Sequence, residues 1–294
     1  MNKDALSIKS NKSISAKLPR IWEIDFLRGF LILLMVIDHF IYDWAYVVPN
    51  FFGFLGVRPS WVLSLCHDAQ IYWNDPYRIA ARYAILCLFF LISGISCFFS
   101  KNNLKRGLIV LGVGSLIAIL SFIFSLVDQD PTDIMFFGAI SCFGFSILGY
   151  FFFSWLIKKI FRDDRYWKWF ALGLGLAIVF IGFCIGGIGY CPDVANLSWD
   201  NWYLIILGVR KYGADCLGLF PMMGFMFLGG FLGELLYSQK MRERRVRFDK
   251  RANAITFPIS FIGRHSMWVY LLHQIILIAI IGAILLSNGF YLRF

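Results

Sequence analysis

Residues 24–48 read IDFLRGFLILLMVIDHFIYDWAYVV, a stretch long enough to cross a bilayer that nevertheless contains Asp25, Arg28, Asp38, His39 and Asp43. About 20 residues of helix cover the ~30 Å hydrocarbon layer, and each charge inside it costs ~2.5 kcal/mol or more. Such a segment predicts a transmembrane helix whose polar side faces other helices. At 3.6 residues per turn, Asp25, Arg28, His39 and Asp43 fall within about 60° of one another. Asp38 lies off that stripe and is expected to face another helix or the outer interface.

Outward from this segment, apolar stretches of membrane-crossing length recur at Ile79–Phe99, Leu108–Val127, Ile134–Ile157, Trp169–Tyr190, Leu217–Tyr237 and Met267–Leu286. In lipid each satisfies its backbone only as a helix. The 294 residues are 59% hydrophobic and 16% charged, more apolar than a soluble core of that size needs. The fold class expected is an all-α, polytopic integral membrane bundle of about seven spans. It forms one domain over residues 21–294, preceded by a Lys-rich tail, residues 1–20. The apolar stretch after the tail is too long for a signal-peptide core and lacks a small-residue cleavage site, so it is expected to remain as the first span. The connectors Pro49–Arg78 and Cys191–Cys216 contain Trp, Tyr and Pro, which predicts interfacial or re-entrant pieces.

Orientation follows from the basic residues. The tail (Lys3 to Arg20), Lys101 to Arg106, Lys158 to Lys168, and Lys240 to Arg251 with Arg264 hold 21 of the 28 Lys and Arg; the opposite loops hold Arg58, Arg78, Arg210, Lys211 and Arg293. The positive-inside rule then puts the N-terminus in the cytoplasm. A multi-pass protein of the plasma membrane is expected. The run MRERRVRFDKR, residues 241–251, reads as a surface facing lipid headgroups, and no nucleic-acid partner is expected. Homo-oligomerisation stays open.

Seven cysteines stand without a CxxC or a Cys/His pair at metal spacing, so neither a metal nor a redox centre is expected. Cys66 and Cys191 fall in loops assigned to the outside, where a disulfide and free thiols are both open. Asp128, Asp130 and Asp133 lack the glycine and terminal Glu of a calcium loop and read as a solvated turn. No role is assigned to His67.

The candidate chemistry lies on the first and last spans. Asp25 and Arg28, spaced i to i+3, either neutralise each other or serve an entry site. His39 titrates near neutrality and suits proton exchange with a reacting group. Asp43, one turn further, either orients His39 as carboxylates do for catalytic imidazoles or bridges to Arg82. In the last span Ser266, Tyr270 and His273 share a face. His273 is either a satisfied interhelical hydrogen-bonder or a partner of His39. Ser93, Gly94 and Ser96, and Gly229, Gly230 and Gly233, either permit close helix contact or leave room for a slender ligand.

Four segments in order carry a resemblance: IWEIDFLRGFLILLMVIDHFIYD, FLISGISCFFSKNNLKRGLIVL, FFGAISCFGFSILGY and GRHSMWVYLLHQ. Together they resemble the heparan-α-glucosaminide N-acetyltransferase catalytic-domain family of transmembrane acyltransferases, over about Arg20 to Leu286. The segment GADCLGLFPMMGFMFLGGFLG is similar to that family's Asp-Tyr-Phe-Pro segment but has Cys216 and Leu217 after Asp215. The resemblance implies an enzyme that takes an acetyl group from cytoplasmic acetyl-CoA and delivers it to a saccharide amino or hydroxyl group on the far side. Matched positions are Asp25, Arg28, Gly29 and His39, and Gly263, His265, Ser266 and His273.

On that reading Arg28, Lys105, Arg106, Arg264 and Ser266 bind the polyanionic donor. His39 is the base with Asp43 orienting it, and His273 serves as a second proton carrier or as a hydrogen-bond donor to the thioester carbonyl. A reading from another class, a proton-coupled transporter or permease, uses the same buried Asp and His residues as a relay. It expects an internal symmetry that the chain does not show.

Overall fold

The charged first segment is helical from Trp22 to Tyr42 (α1), continues through one π-helical turn, Asp43–Val47, and ends in a short helix, Val48–Phe51 (α2). This is seen in a computed structural model that describes residues 21–55, 59–128, 134–162, 164–186, 191–213, 215–237 and 254–292. The tail 1–20, Arg58, Asp130 and Asp133, the basic run from Lys240 to Arg251, and Arg293 lie outside the described residues.

Pro49 has no N–H to give to the Ala45 carbonyl four residues back. The side-chain amide of Gln70 donates to that carbonyl instead, at 2.9 Å. Gln70 belongs to α3 (Ser60–Trp73), a helix with Trp61, Leu63 and Leu65 exposed, in the connector where an interfacial or re-entrant piece is expected.

The remaining elements are α4 (Pro76–Phe99), α5 (Asn103–Asp128), α6 (Ala139–Phe161), α7 (Asp164–Cys184), the short α8 (Trp202–Leu207), α9 (Leu219–Leu236), α10 (Phe257–Arg264) and α11 (Ser266–Ser287). Among the described residues, six helices are long and apolar enough to cross a membrane: α4, α5, α6, α7, α9 and α11. At 21 residues α1 has the length for a seventh, and only its charges set it apart. The bundle presents apolar side chains outward, as a bilayer solvent permits; Leu116 and Leu120 of α5 are 55% and 56% exposed. Two lysines at one end of the bundle, Lys159 over Trp155 and Lys168 over Trp169, keep their ammonium groups beside interfacial aromatic rings.

Besides a small cluster of Ile24 and Leu31 of α1 with Ile92 and Ile95 of α4, packing has two larger regions. One core lies among α4, α6, α7 and α9, around Phe90, Tyr150, Met222 and Phe227; the other lies among the outer end of α1, α3 and α11, around Trp44, Val62 and Leu285. Two glycine crossings set the helix spacing. A Cβ at Gly94 would collide with the Met226 carbonyl and Gly229, and one at Gly229 with the Leu91 carbonyl and Gly94, so α4 and α9 touch through their backbones. A Cβ at Gly29 would collide with the Ile259 carbonyl and one at Gly263 with the Asp25 carbonyl, so α1 and α10 do the same. The space beside Gly230 is filled by the Tyr150 ring and that beside Gly233 by Phe98 and Ile95. Helix contact, not ligand room, is therefore the use of these glycines.

The last segment is broken. α10 ends at Arg264 and α11 starts at Ser266, with His265 outside helical geometry between them. Beyond α11, Phe290–Leu292 (β2) pairs antiparallel with Phe52–Phe54 (β1), Phe52 opposite Leu292 and Phe54 opposite Phe290. The segment after the first helix and the segment after α11 are thus joined at one face.

Cys66 and Cys191 are free, so no disulfide joins them. Cys66 is buried in α3 and the Cys191 thiol donates to the carbonyls of Gly186 and Gly208.

Replacing Gly29 with Val forces α1 and α10 apart, and overpacking of this kind costs about 1–3 kcal/mol or more. Thermal unfolding of the purified protein in detergent is expected to occur at clearly lower temperature in Gly29→Val than in Gly112→Val, because a Cβ at Gly112 meets nothing within 4 Å.

Candidate functional site

A cavity of about 1800 Å³ opens where α1, α10 and α11 meet α4, α5 and α6. Its wall runs the length of α1, from Asp25 and Arg28 at one end to Asp38 and His39 at the other. Arg28 and His39 are 11 residues apart, about 16 Å at 1.5 Å per residue.

The first end is basic. Arg28, Arg264 and the α4–α5 region with Lys101, Lys105 and Arg106 line it, and Asp25 is the sole acidic lining residue there among the described residues. Asp25 sits between two guanidinium groups: Arg264 Nε donates to its Oδ2 at 3.1 Å and Arg28 Nη1 stands 3.7 Å from its Oδ1. The i to i+3 pair read from the sequence exists, but the closer partner comes from α10. Arg28 also donates to the Ser96 hydroxyl on α4, which in turn donates to the Ile92 carbonyl at 3.0 Å. Ser266, at the start of α11, lines the same wall. All five residues expected to hold the donor therefore border one space.

At the far end the wall carries His39, Arg82, Lys211, Asp215 and Tyr270. The Nδ1–H of His39 donates to the Met35 carbonyl at 3.0 Å, because a carbonyl can only accept; Nε2 is left with the lone pair. His273 is held the same way, Nδ1–H to the Tyr270 carbonyl at 2.6 Å. The two imidazoles meet edge to face with centroids 4.9 Å apart. His39 lines the cavity, whereas His273 is buried behind it, with an Nε2 that has no hydrogen-bond partner among the described residues.

Asp43 is placed differently from the sequence expectation. It is fully buried, and its Oδ1 accepts from the Gln274 amide at 2.5 Å. It neither orients His39, which its own helix holds, nor bridges to Arg82. The reason is the register of α11: consecutive residues His273 and Gln274 reach His39 and Asp43, one turn apart on α1. Asp38 does face another helix. Arg78 of α4 grips it with two hydrogen bonds, Nε to Oδ1 at 2.7 Å and Nη2 to Oδ2 at 2.5 Å, and lies 3.4 Å above the Trp73 ring.

The sequence places Arg78 in a connector and leaves Arg82 open as a partner of Asp43. The signal that corrects both is the Asp75-Pro76 pair. Asp75 caps α4, accepting from the N–H groups of Tyr77 at 2.8 Å and Arg78 at 3.1 Å, so the helix starts early enough to turn Arg78 and Arg82 inward together.

Asp215 also serves the scaffold, since its Oδ2 accepts from the first N–H of α6, Ala139, at 3.2 Å. The neighbouring Cys216 thiol lines the cavity, but burial pushes its pKa up, away from thiolate character.

A family model described as heparan-alpha-glucosaminide N-acetyltransferase, catalytic, matches residues 20–55 and 55–275. No curated protein and no solved structure matches the chain. The matched residues take in the whole cavity wall, Ile21 to Tyr270.

Because Arg78 and Asp38 are largely buried, removing one partner strands the other; the cost of such a change is about 3–5 kcal/mol. Arg78→Ala is expected to lower the denaturation midpoint in detergent strongly, and Arg78→Leu combined with Asp38→Leu to regain most of the loss.

Proposed function

The chain belongs to the heparan-α-glucosaminide N-acetyltransferase catalytic-domain family, and on that premise we propose that it transfers an acetyl group from cytoplasmic acetyl-CoA to a saccharide hydroxyl or amine on the opposite side of the plasma membrane. A multi-pass membrane acetyltransferase is what membership supplies; donor, acceptor and sidedness are our reading. The observation that carries it is the cavity, which runs from a basic mouth to an imidazole with a free lone pair.

CoA carries several phosphate charges, and the mouth formed by Arg28, Lys101, Lys105, Arg106 and Arg264 suits them. By the positive-inside rule this mouth faces the cytoplasm, where acetyl-CoA is found. The thin acyl-bearing arm lies along α1, and about 16 Å further the thioester comes level with His39. An acceptor entering from the other end meets the same point. His39 Nε2 takes the proton of the acceptor O–H or N–H as the acceptor attacks the thioester carbon. The C–S bond then breaks, and the imidazolium returns the proton to the leaving thiolate, giving CoA and the acetylated acceptor. His273 braces the His39 ring from behind, and Asp43 with Gln274 fixes α11 against α1 at this depth.

A proton-coupled permease would use the same polar groups. Asp25 and Asp38, however, are each committed to arginines, and that binds helices together more readily than it relays protons.

General bases contribute about 10²–10⁴-fold, so His39→Ala is expected to lose that factor in turnover while still binding acetyl-CoA. The measurement is release of CoA thiol from acetyl-CoA by protein in proteoliposomes, with glucosamine and glucose as acceptors. Near-normal turnover in His39→Ala, or saccharide flux by the wild type without acetyl-CoA, would sink the reading.

A further inference from the structure

We infer that Arg82 and Tyr270 form the site that takes up the negative charge developing on the thioester carbonyl oxygen, making both catalytic residues; the inference rests on the acetyl-CoA reading above. When the acceptor attacks, the carbonyl π pair moves onto oxygen, and in a low-dielectric chamber that oxygen needs fixed donors.

The other three arginines that α1, α4 and α10 place on the wall are already engaged. Arg28 is held by Asp25 and Ser96, Arg78 by Asp38, and Arg264 by Asp25. Arg82 stands apart: its guanidinium makes no hydrogen bond or ion pair among the described residues, although it is half-buried within the bundle. An arginine inside the bundle without a partner needs a reason, and five unused N–H donors in a rigid fork supply one. The Tyr270 hydroxyl likewise makes no hydrogen bond among the described residues and lies on the same wall.

Their placement converges on the base. Tyr270 belongs to α11, with its ring centroid 5.7 Å from that of His273, which itself packs against His39. Arg82 lines the same wall and lies one turn along α4 from Arg78, whose partner Asp38 immediately precedes His39 on α1. A carbonyl at this level is thus bordered by the His39 lone pair from α1 and by unused donors from α4 and α11. Asp215, the acid on this part of the wall, spends one oxygen on the α6 N-terminus. As the tetrahedral adduct collapses, the oxygen pair re-forms C=O and the C–S bond breaks, so the charge rests on this oxygen only between the two steps.

Loss of one such donor costs about 10²–10³ in kcat. Arg82→Gln and Tyr270→Phe are therefore expected to lower turnover of acetyl-CoA with glucosamine or glucose by about that factor, with KM for acetyl-CoA near that of the wild type; Arg82→Lys should fall between. A second readout needs no acceptor. The ¹³C=O stretch of carbonyl-labelled acetyl-CoA, measured by infrared difference spectroscopy, should move to lower wavenumber on binding wild type and His39→Ala. Most of that shift should be lost on Arg82→Gln or Tyr270→Phe. An unshifted band in wild type, an equal shift in Arg82→Gln, or a loss confined to KM overturns the assignment while leaving the transfer reading intact. Failure of wild type to bind acetyl-CoA removes the reading and the assignment together.

Discussion

An ion held in hydrocarbon has to be answered by an opposite charge or by donors, and the first helix carries acids whose answers come from elsewhere in the bundle. Asp25 is met by Arg264 of α10, Asp38 by Arg78 of α4 and Asp43 by Gln274 of α11. Each contact is buried or partly buried, where an unmatched partner is expensive. Together they leave α1 little choice about its neighbours. The same requirement fixes its rotation, because Asp25 and Asp38 must point at different helices while His39 looks into the space between them. The cavity is what remains when those commitments are met.

Close backbone contact supplies the complementary constraint. Apolar side chains gain little from leaving lipid for protein, so helices in a membrane hold together by packing. The crossings at Gly29 with Gly263 and at Gly94 with Gly229 bring two pairs of helices to backbone distance. α4 therefore belongs to one tight pair and α1 to another, and the gap between the pairs is bridged by Arg78 with Asp38 and Arg28 with Ser96. Ser93 and Ser96 face that gap while Gly94, between them, faces α9. One short stretch of α4 thus serves wall and joint at once.

Much of this was legible in the chain. Apolar length marks the spans, and the cost of charge in lipid singles out α1. Of the stripe of Asp25, Arg28, His39 and Asp43, the first three border one cavity and Asp43 is buried behind it. Illegible were the partners. Nothing local to Asp38 points to Arg78 forty residues away, and the amide of Gln274, uncharged, raised no alarm in an apolar helix. The π turn at Asp43–Val47 also escaped, although Pro49 foretold a missing hydrogen bond; Gln70, which repairs it, lies on another helix. The short helix α10 before the last span also went unread, because Phe257–Arg264 is too short to register as an apolar span. Long-range pairing, rather than local propensity, decided the other points.

The ion pair between Asp25 and Arg264 has a temporal side. Its members are separated by 239 positions, and at 5–20 residues per second the ribosome needs roughly 10–50 s to pass from one to the other. Throughout that interval α1 is already made, and its acid has only Arg28, one turn away, for company. That weaker neighbour is then more than a spare contact: it lets a charged segment wait in the membrane for its permanent partner. The β1–β2 ladder, joining residues 52–54 to 290–292, closes only after that. The wall that α1 gives to the cavity is therefore completed only once α10 has been made.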